Sequence, residues 1–204
     1  MSRADTVVVL DFETTGLSPG MGDRAIEIGA VRIENGEVTG RFQELMNPGR
    51  RIDPFIEGYT GITNEMLVTA DPCEVVMERF FDFMGSSNLV AHNASFDQRF
   101  LDAELARISQ RRSGDFTCSM LLARRIFQDA PNHRLSCLVD YAGIPTDGTF
   151  HRALYDSEMT AKIWLRMLDT IGDRHGIFDA PFALMQKLCK TPKKSVHTFL
   201  AAYL

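Results

Sequence analysis

Cysteine is sparse in this 204-residue chain, and Cys73, Cys118, Cys137 and Cys189 form no C-x-x-C pair. That spacing excludes the usual structural-zinc and redox motifs and predicts reduced thiols in an intracellular, cytoplasmic protein. Long apolar runs are missing as well. No stretch approaches the roughly 18 residues that a membrane span needs. The opening MSRADTVVVL is too short and too soon acidic for a secretory leader, so neither membrane attachment nor secretion is expected. The sequence holds no internal repeat and no low-complexity tract. An excess of basic charge is also absent, since 22 Lys and Arg face 27 Asp and Glu for a net charge of −5. This does not exclude a nucleic-acid partner. With four acids committed to a metal site, 23 would face the 22 bases, and local clusters would then decide. Arg50-Arg51, Arg107-Arg111-Arg112, Arg124-Arg125 and Lys190-Lys193-Lys194 are such clusters.

What is present is an ordinary globular composition, 45% hydrophobic and 24% charged, in a length that suits one sizeable domain. VVVLDFETTG (7–16) reads as a buried strand that ends in acids. Strand side chains alternate, so Asp11 and Glu13 share a face and Phe12 takes the other. Burying carboxylates without a partner is costly, so something positive should sit against them. RAIEIGAVRIE then alternates, with Ile26, Ile28 and Ala30 on one face and Glu27, Gly29 and Val31 on the other. Asn35-Gly36 predicts a hairpin into EVTGRFQELM. Asp71-Pro72-Cys73-Glu74 reads as a helix start with Asp71 as N-cap and Pro72 in the first turn, and Gly85 as its stop. NLVAH (88–92) predicts a short strand leading into a helix that carries Phe100, Leu101, Leu105 and Ile108. A strand near DFTCSM, a helix over Leu121–Phe127, another near Ser136–Tyr141 and a long one from His151 to about Ile171 follow. The order implies an α/β fold, a mixed sheet flanked by helices. Beyond Gly172 one or two short helices are expected as a C-terminal tail.

Two further acids stand where a site could form. Asp97 falls in the first turns of a helix that follows a strand, and His151 and Asp156 bracket the start of the long helix. Residues five apart on a helix point about 140° apart, so His151 and Asp156 can share a site only if His151 precedes the first full turn. The preceding TDGTF allows that.

DFETTG, HNASFD and HRALYD together resemble the three motifs of the DnaQ-like 3′-to-5′ exonucleases, in the DEDDh branch. The resemblance covers about residues 5–170 and is nearer to polymerase proofreading subunits and stand-alone DNA exonucleases than to oligoribonucleases. It implies an RNase H-like exonuclease domain over 5–172, with three opening strands followed by parallel additions. Residues 173–204 would be a helical extension packed on it. It also implies that Asp11, Glu13, Asp97 and Asp156 hold two Mg²⁺ (or Mn²⁺), with His151 as the general base. Carboxylate and water oxygens suit such hard ions, and an imidazole can take a proton at neutral pH. The implied reaction removes 5′-mononucleotides from the 3′ end of single-stranded DNA, with RNA trimming as the alternative. The resemblance further places Phe12, Thr14, Thr15, Gly16 and Leu17 beside the terminal nucleotide, with Asn93 and Phe96 on the opposite wall. Thr60 stands where family members often carry a histidine, and Tyr59 could replace that grip by stacking. His92 is expected to be structural, and His133, His175 and His197 to lie at the surface. The tail matches no polymerase- or clamp-binding segment, which favours a free-standing enzyme over one in a polymerase or repair complex; oligomeric state stays open. A haloacid dehalogenase-type hydrolase would need Asp in place of Glu13, and a non-catalytic binding module would have no need of all four acids.

Overall fold

A computed structural model of the chain describes residues 2–147 and 151–203. VVVLDFET forms β1 (Val7–Thr14), and the alternating segment after it forms β2 (Ala25–Glu34). Asn35 and Gly36 both take positive φ, +53° and +83°, the pair of left-handed residues that a tight hairpin turn needs. They return the chain as β3 (Glu37–Leu45). Two short helices follow, α1 (Pro54–Thr60) and α2 (Asn64–Val68), then α3 (Cys73–Met84). Next come β4 (Leu89–Ala91), α4 (Ser95–Arg107), β5 (Phe116–Cys118), α5 (Ser119–Ile126) and α6 (Leu135–Tyr141). The long α7 (Ala153–His175) leads into α8 (Phe182–Lys190) and α9 (Val196–Ala201). Residues 148–150 of the TDGTF approach to His151, and Leu204 of the expected tail, lie outside the described residues.

Among the described residues the strands make one mixed sheet in the order β3-β2-β1-β4-β5. The first three pair antiparallel, and β4 and β5 add parallel to β1. Both faces are covered, which explains the unbroken apolar run in β1. Val7 and Val9 pack with Trp164, Met167 and Phe182 on one side. Val8, Leu10 and Phe12 pack with Phe80, Phe100 and Leu101 on the other. Fully burying a side chain of that size contributes about 1.5–3 kcal/mol. Several such residues offset the desolvation of the carboxylates that end β1, which costs several kcal/mol per ion.

Two sequence expectations change. The Asp71 cap does not form: Pro72 occupies the N-cap position without a side-chain bond, and α3 begins at Cys73. The Asp71 carboxylate pairs instead with Arg79 at 2.7 Å, a guanidinium that also holds Glu44. A charged partner within reach is worth more to it than a backbone N–H at an exposed helix end. The second change is α1, which the sequence reading passed over. Asp53 caps it by accepting from the Phe55 N–H, Pro54 sits in its first turn, and Gly61 (φ +71°) ends it.

α7 is the element that carries chemistry to β1. It runs to His175, a turn beyond the expected end, and Gly176 stops it with φ +69°. Its first turn crosses β2 at Gly29, where a Cβ would stand 2.0 Å from the Leu154 nitrogen and 2.4 Å from the Ala153 carbonyl oxygen. The Ser157 hydroxyl donates to the Gly29 carbonyl at 2.9 Å and fixes the crossing. Since Asp11 is the cross-strand partner of Gly29, this contact brings Asp156 alongside β1. Gly29→Ala should therefore push the helix start away. The clash is with backbone, which no rotamer change relieves, so a stability loss of about 1–3 kcal/mol or more is expected together with loss of activity. Thermal melting and a nuclease assay on the same preparation check this.

The C-terminal helices share the core of the α7 face. The Trp164 indole N–H donates to the Ala4 carbonyl at 2.7 Å, and the Ala4 N–H to the Ala180 carbonyl at 2.9 Å. Leu184, Leu188 and Leu200 are buried in the same cluster as Val7 and Trp164.

Candidate active site

The strand end, the first turn of α4 and the start of α7 converge. Asp11 and Glu13 lie on the α7 face of β1, and one oxygen each of Asp11, Glu13 and Asp156 falls within 4.8 Å of the others. Asp97 reaches in from α4, where it is 2% exposed, and its Oδ1 accepts the Phe12 N–H at 3.1 Å. His151 lies just before α7 with φ +72°, and its N–H donates to Asp156 Oδ2 at 3.0 Å. The left-handed turn resolves the angular problem, because His151 is not on the helix at all. The other Asp156 oxygen, Oδ1, is buried with no hydrogen-bond partner among the described residues.

Burial pushes every one of these acids upward. Glu13 rises to about 8 through desolvation, then through Asp156 and Glu27, with Arg152 opposing. Asp156 rises to about 6 through desolvation, offset in part by the His151 N–H. Asp11 is held well above the carboxylate range by burial and by Asp97 and Glu13. Burial also raises Asp97, against the stabilising Phe12 N–H. Four desolvated acids and an orphaned carboxylate oxygen are what a divalent cation would satisfy. The donor set is all oxygen, and it fits a hard ion of the Mg²⁺ or Mn²⁺ kind.

The acids line a cleft of about 570 Å³, and of the residues expected around the substrate, Phe12, Thr14, Gly16, Leu17, Thr60, Asn93 and Phe96 line it too. Leu17 is 76% exposed at its mouth. Asn93 tolerates φ +64°, as short polar side chains do, at the turn into α4. Phe96 packs on Phe100 with ring centroids 4.9 Å apart. Phe12 is 3% exposed, a core side chain on the far face. Thr60 has spent its hydroxyl, which donates to the Ile56 carbonyl and accepts from the Ile62 N–H. Thr15 stands apart: its hydroxyl donates to Asp23 and accepts from the Arg24 N–H and the Arg50 guanidinium. His92 bridges the Ser119 hydroxyl and the His133 carbonyl at 2.9 Å each, and burial lowers it to about 4, so it is neutral. His133 and His175 are half-buried, not simply superficial, and His197 is exposed.

Three features were missed. Glu27 is wholly buried, opposite Glu13 across the strands, and it accepts from Arg152, Gln43 and the Ala153 N–H. It thus ties the first residue of α7 to β2. The signal was a lone acid inside an apolar strand. The second feature is Phe55, which stacks at 6.0 Å on Tyr59, the ring expected to grip by stacking; Tyr59 itself lies 4.3 Å from the His151 ring. The third is Arg134, which lines the adjoining space of about 720 Å³ with Asp11, His151 and Asp156. Its guanidinium has no ion-pair partner among the described residues.

Comparison with known proteins yields a consistent set. The family profile described as Exonuclease (RNase_T) matches residues 8–164. DNA polymerase III PolC-type of Bacillus cereus is 37% identical over 168 residues, covering 82% of this chain and 12% of that protein. The 3′-5′ exonuclease DinG of Bacillus subtilis is 38% identical over 165 residues, covering 80% of this chain and 18% of its own length. The chain therefore spans less than a fifth of either relative. Among solved structures, Exonuclease X in complex with 5′ overhanging duplex DNA aligns with a TM-score of 0.67 at 29% identity, over 81% of this chain and 93% of that one.

Proposed function

This chain belongs to the RNase_T exonuclease family of DnaQ-like, DEDDh enzymes, and on that footing we propose that it removes 5′-mononucleotides from the 3′ end of single-stranded DNA. The observation that carries the proposal is the meeting of Asp11, Glu13 and Asp156 within 4.8 Å, beside Asp97 and the mouth histidine His151. Asp11, Glu13, Asp97 and Asp156 would hold two divalent cations. When bound, such ions lower the pKa of an attacking water and offset charge on the attacking and leaving oxygens.

The protein's own groups do the rest. His151 takes the proton of the attacking water, the new P–O bond forms, and the bond to the 3′ oxygen of the shortened strand breaks. The phosphate stays on the 5′ side of the released nucleotide. Tyr59 holds the His151 ring on one face, and Phe55, 72% exposed, extends that aromatic surface toward solvent. Stacking on such faces tolerates any base, which suits an enzyme that must accept every terminal nucleotide. Leu17 and Phe96 supply further apolar contact in the same cleft. Arg134 gives the polyanion a fixed positive charge beside Asp11 and Asp156. The complex that Exonuclease X makes with DNA supports a DNA end as substrate.

A 5′-labelled single strand incubated with Mg²⁺ should give a descending ladder that chelator abolishes, and matched RNA should be cut more slowly. Cleavage of a circular strand, or shortening from the 5′ end, overturns the reading. In the same assay Arg134→Gln should raise KM about tenfold, leave kcat near its original value and lower the salt dependence by about one phosphate contact. A fall in kcat alone would remove Arg134 from substrate binding.

A further inference from the structure

A second cavity, of about 420 Å³, lies between α5, the last turns of α7 and α9. It is far from the acids, because α7 starts at the active-site cleft and this cavity meets its other end. At a rise of about 1.5 Å per residue, Asp156 and Arg174 stand some 27 Å apart along the helix. Arg174 and His175 come from α7, His197 from α9 and Arg125 from α5. The two imidazole rings sit edge to face with centroids 5.5 Å apart. Ile126, Ile171 and Val196 supply apolar surface.

Charge is not balanced here. Arg174, His175 and His197 make no ion pair or hydrogen bond with any described side chain. Arg125 donates to the Thr191 and Leu121 carbonyls, which fixes its guanidinium without neutralising it. Asp129, from the segment after α5, is the one acid among the lining groups, and it pairs with none of them. His175 is held below the ordinary histidine range by burial, then by His197 and Arg174. Helix C-terminal basic residues can serve the helix dipole alone, but that role would favour a charged His175 and the neighbours here oppose it. Arg174, His175, Val196 and His197 also lie beyond the residues that the exonuclease profile matches, so nuclease chemistry does not account for them.

We propose that this cavity is a binding site for a phosphate-type dianion, free or carried on a nucleotide. A dianion beside the two rings would find their N–H donors and would meet the Arg174 guanidinium, a charge-assisted contact of the strong class.

The test is an NMR titration of the full chain with labelled histidines, in chelator so that the acidic cleft holds no metal. Inorganic phosphate and dAMP are the probes, with ionic strength matched by NaCl. His175 and His197 ring signals should shift saturably with either probe. Arg174→Gln, at an exposed position, should weaken binding about tenfold without changing the melting temperature. Tighter binding of dAMP would assign a nucleotide ester to the site, and equal affinity the free anion. The proposal is overturned by shifts that NaCl reproduces, by shifts that Arg174→Gln leaves unchanged, or by dAMP moving only the His151 signal.

Discussion

Asp11→Asn should abolish divalent-dependent hydrolysis, by about 10³-fold or more, and in chelator it should make the protein more stable at pH 8. The two effects share one cause. Metal chemistry supplies several kcal/mol of transition-state stabilisation, and each 1.36 kcal/mol is tenfold in rate. Asp11 is the member of the cluster crowded by both Asp97 and Glu13, and it accepts no hydrogen bond from any described residue. Without cations its charge is a cost. In the unfolded chain these acids titrate near about 4. In the folded chain Glu13 is raised to about 8 and Asp156 to about 6. Between those limits the native state binds more protons than the unfolded state, so stability falls as pH rises. The chelated protein should lose stability progressively from about pH 4 toward pH 8, and Mg²⁺ should raise the melting temperature more at pH 8 than at pH 5.5. Asp11→Asn should flatten that slope and raise the melting temperature in chelator by about 2–4 °C for each kcal/mol of repulsion relieved. Asp97→Asn is the contrasting case, since its carboxylate also receives the Phe12 N–H and its loss should gain less. Scanning calorimetry in chelator and in Mg²⁺, across pH, measures both effects. A lower melting temperature in chelator with activity retained would remove Asp11 from the metal cluster.

The central fold was legible because its signals were local. Alternation in β2, the Asn35-Gly36 turn and the apolar run of β1 each act within a few residues, and each strand formed where expected. The meeting of Asp11, Asp97, His151 and Asp156 was legible only through the motif resemblance, since no periodicity connects β1 with α7. What escaped depends on partners distant in sequence. Glu27 is held by Arg152, 125 residues later, and Arg134 matters only because α6 starts beside the acids. α1 is seven residues long, too short for a helical period to register, although Asp53, Pro54 and Gly61 mark its ends. The Asp71 cap failed for the same kind of reason, because Arg79 and Glu44 compete for the local charges. Thr15 looked like part of the first motif's substrate wall, but Asp23 and Arg50 turn its hydroxyl elsewhere.

His151→Gly should cost about 10²- to 10⁴-fold in rate, the usual worth of a general base, yet leave folding and metal binding intact. The backbone explains why glycine is the informative replacement. His151 sits at φ +72°, a conformation that costs a residue with a Cβ about 1–3 kcal/mol. Glycine adopts it freely and gives back about 0.5–1 kcal/mol in chain entropy, so the exchange should be near neutral or favourable. Alanine would keep the strain while losing the ring. The link to Asp156 Oδ2 also survives, because it is made by the backbone N–H. What disappears is the imidazole packed 4.3 Å from Tyr59, and the space it leaves is shaped for imidazole added from solution. The base must be neutral to accept a proton, so the wild-type single-turnover rate at saturating Mg²⁺ should rise with pH along an acid limb. His151→Gly should lack that limb and respond only to hydroxide. Added imidazole should restore rate saturably, with the acid limb returning as the free imidazole titrates. Tyr59→Ala in the same background should weaken the rescue, because the rescuing ring loses the aromatic face that holds it. An acid limb that persists in His151→Gly without imidazole would mean that another ionisation, such as that of the attacking water, governs the profile and that His151 only positions it.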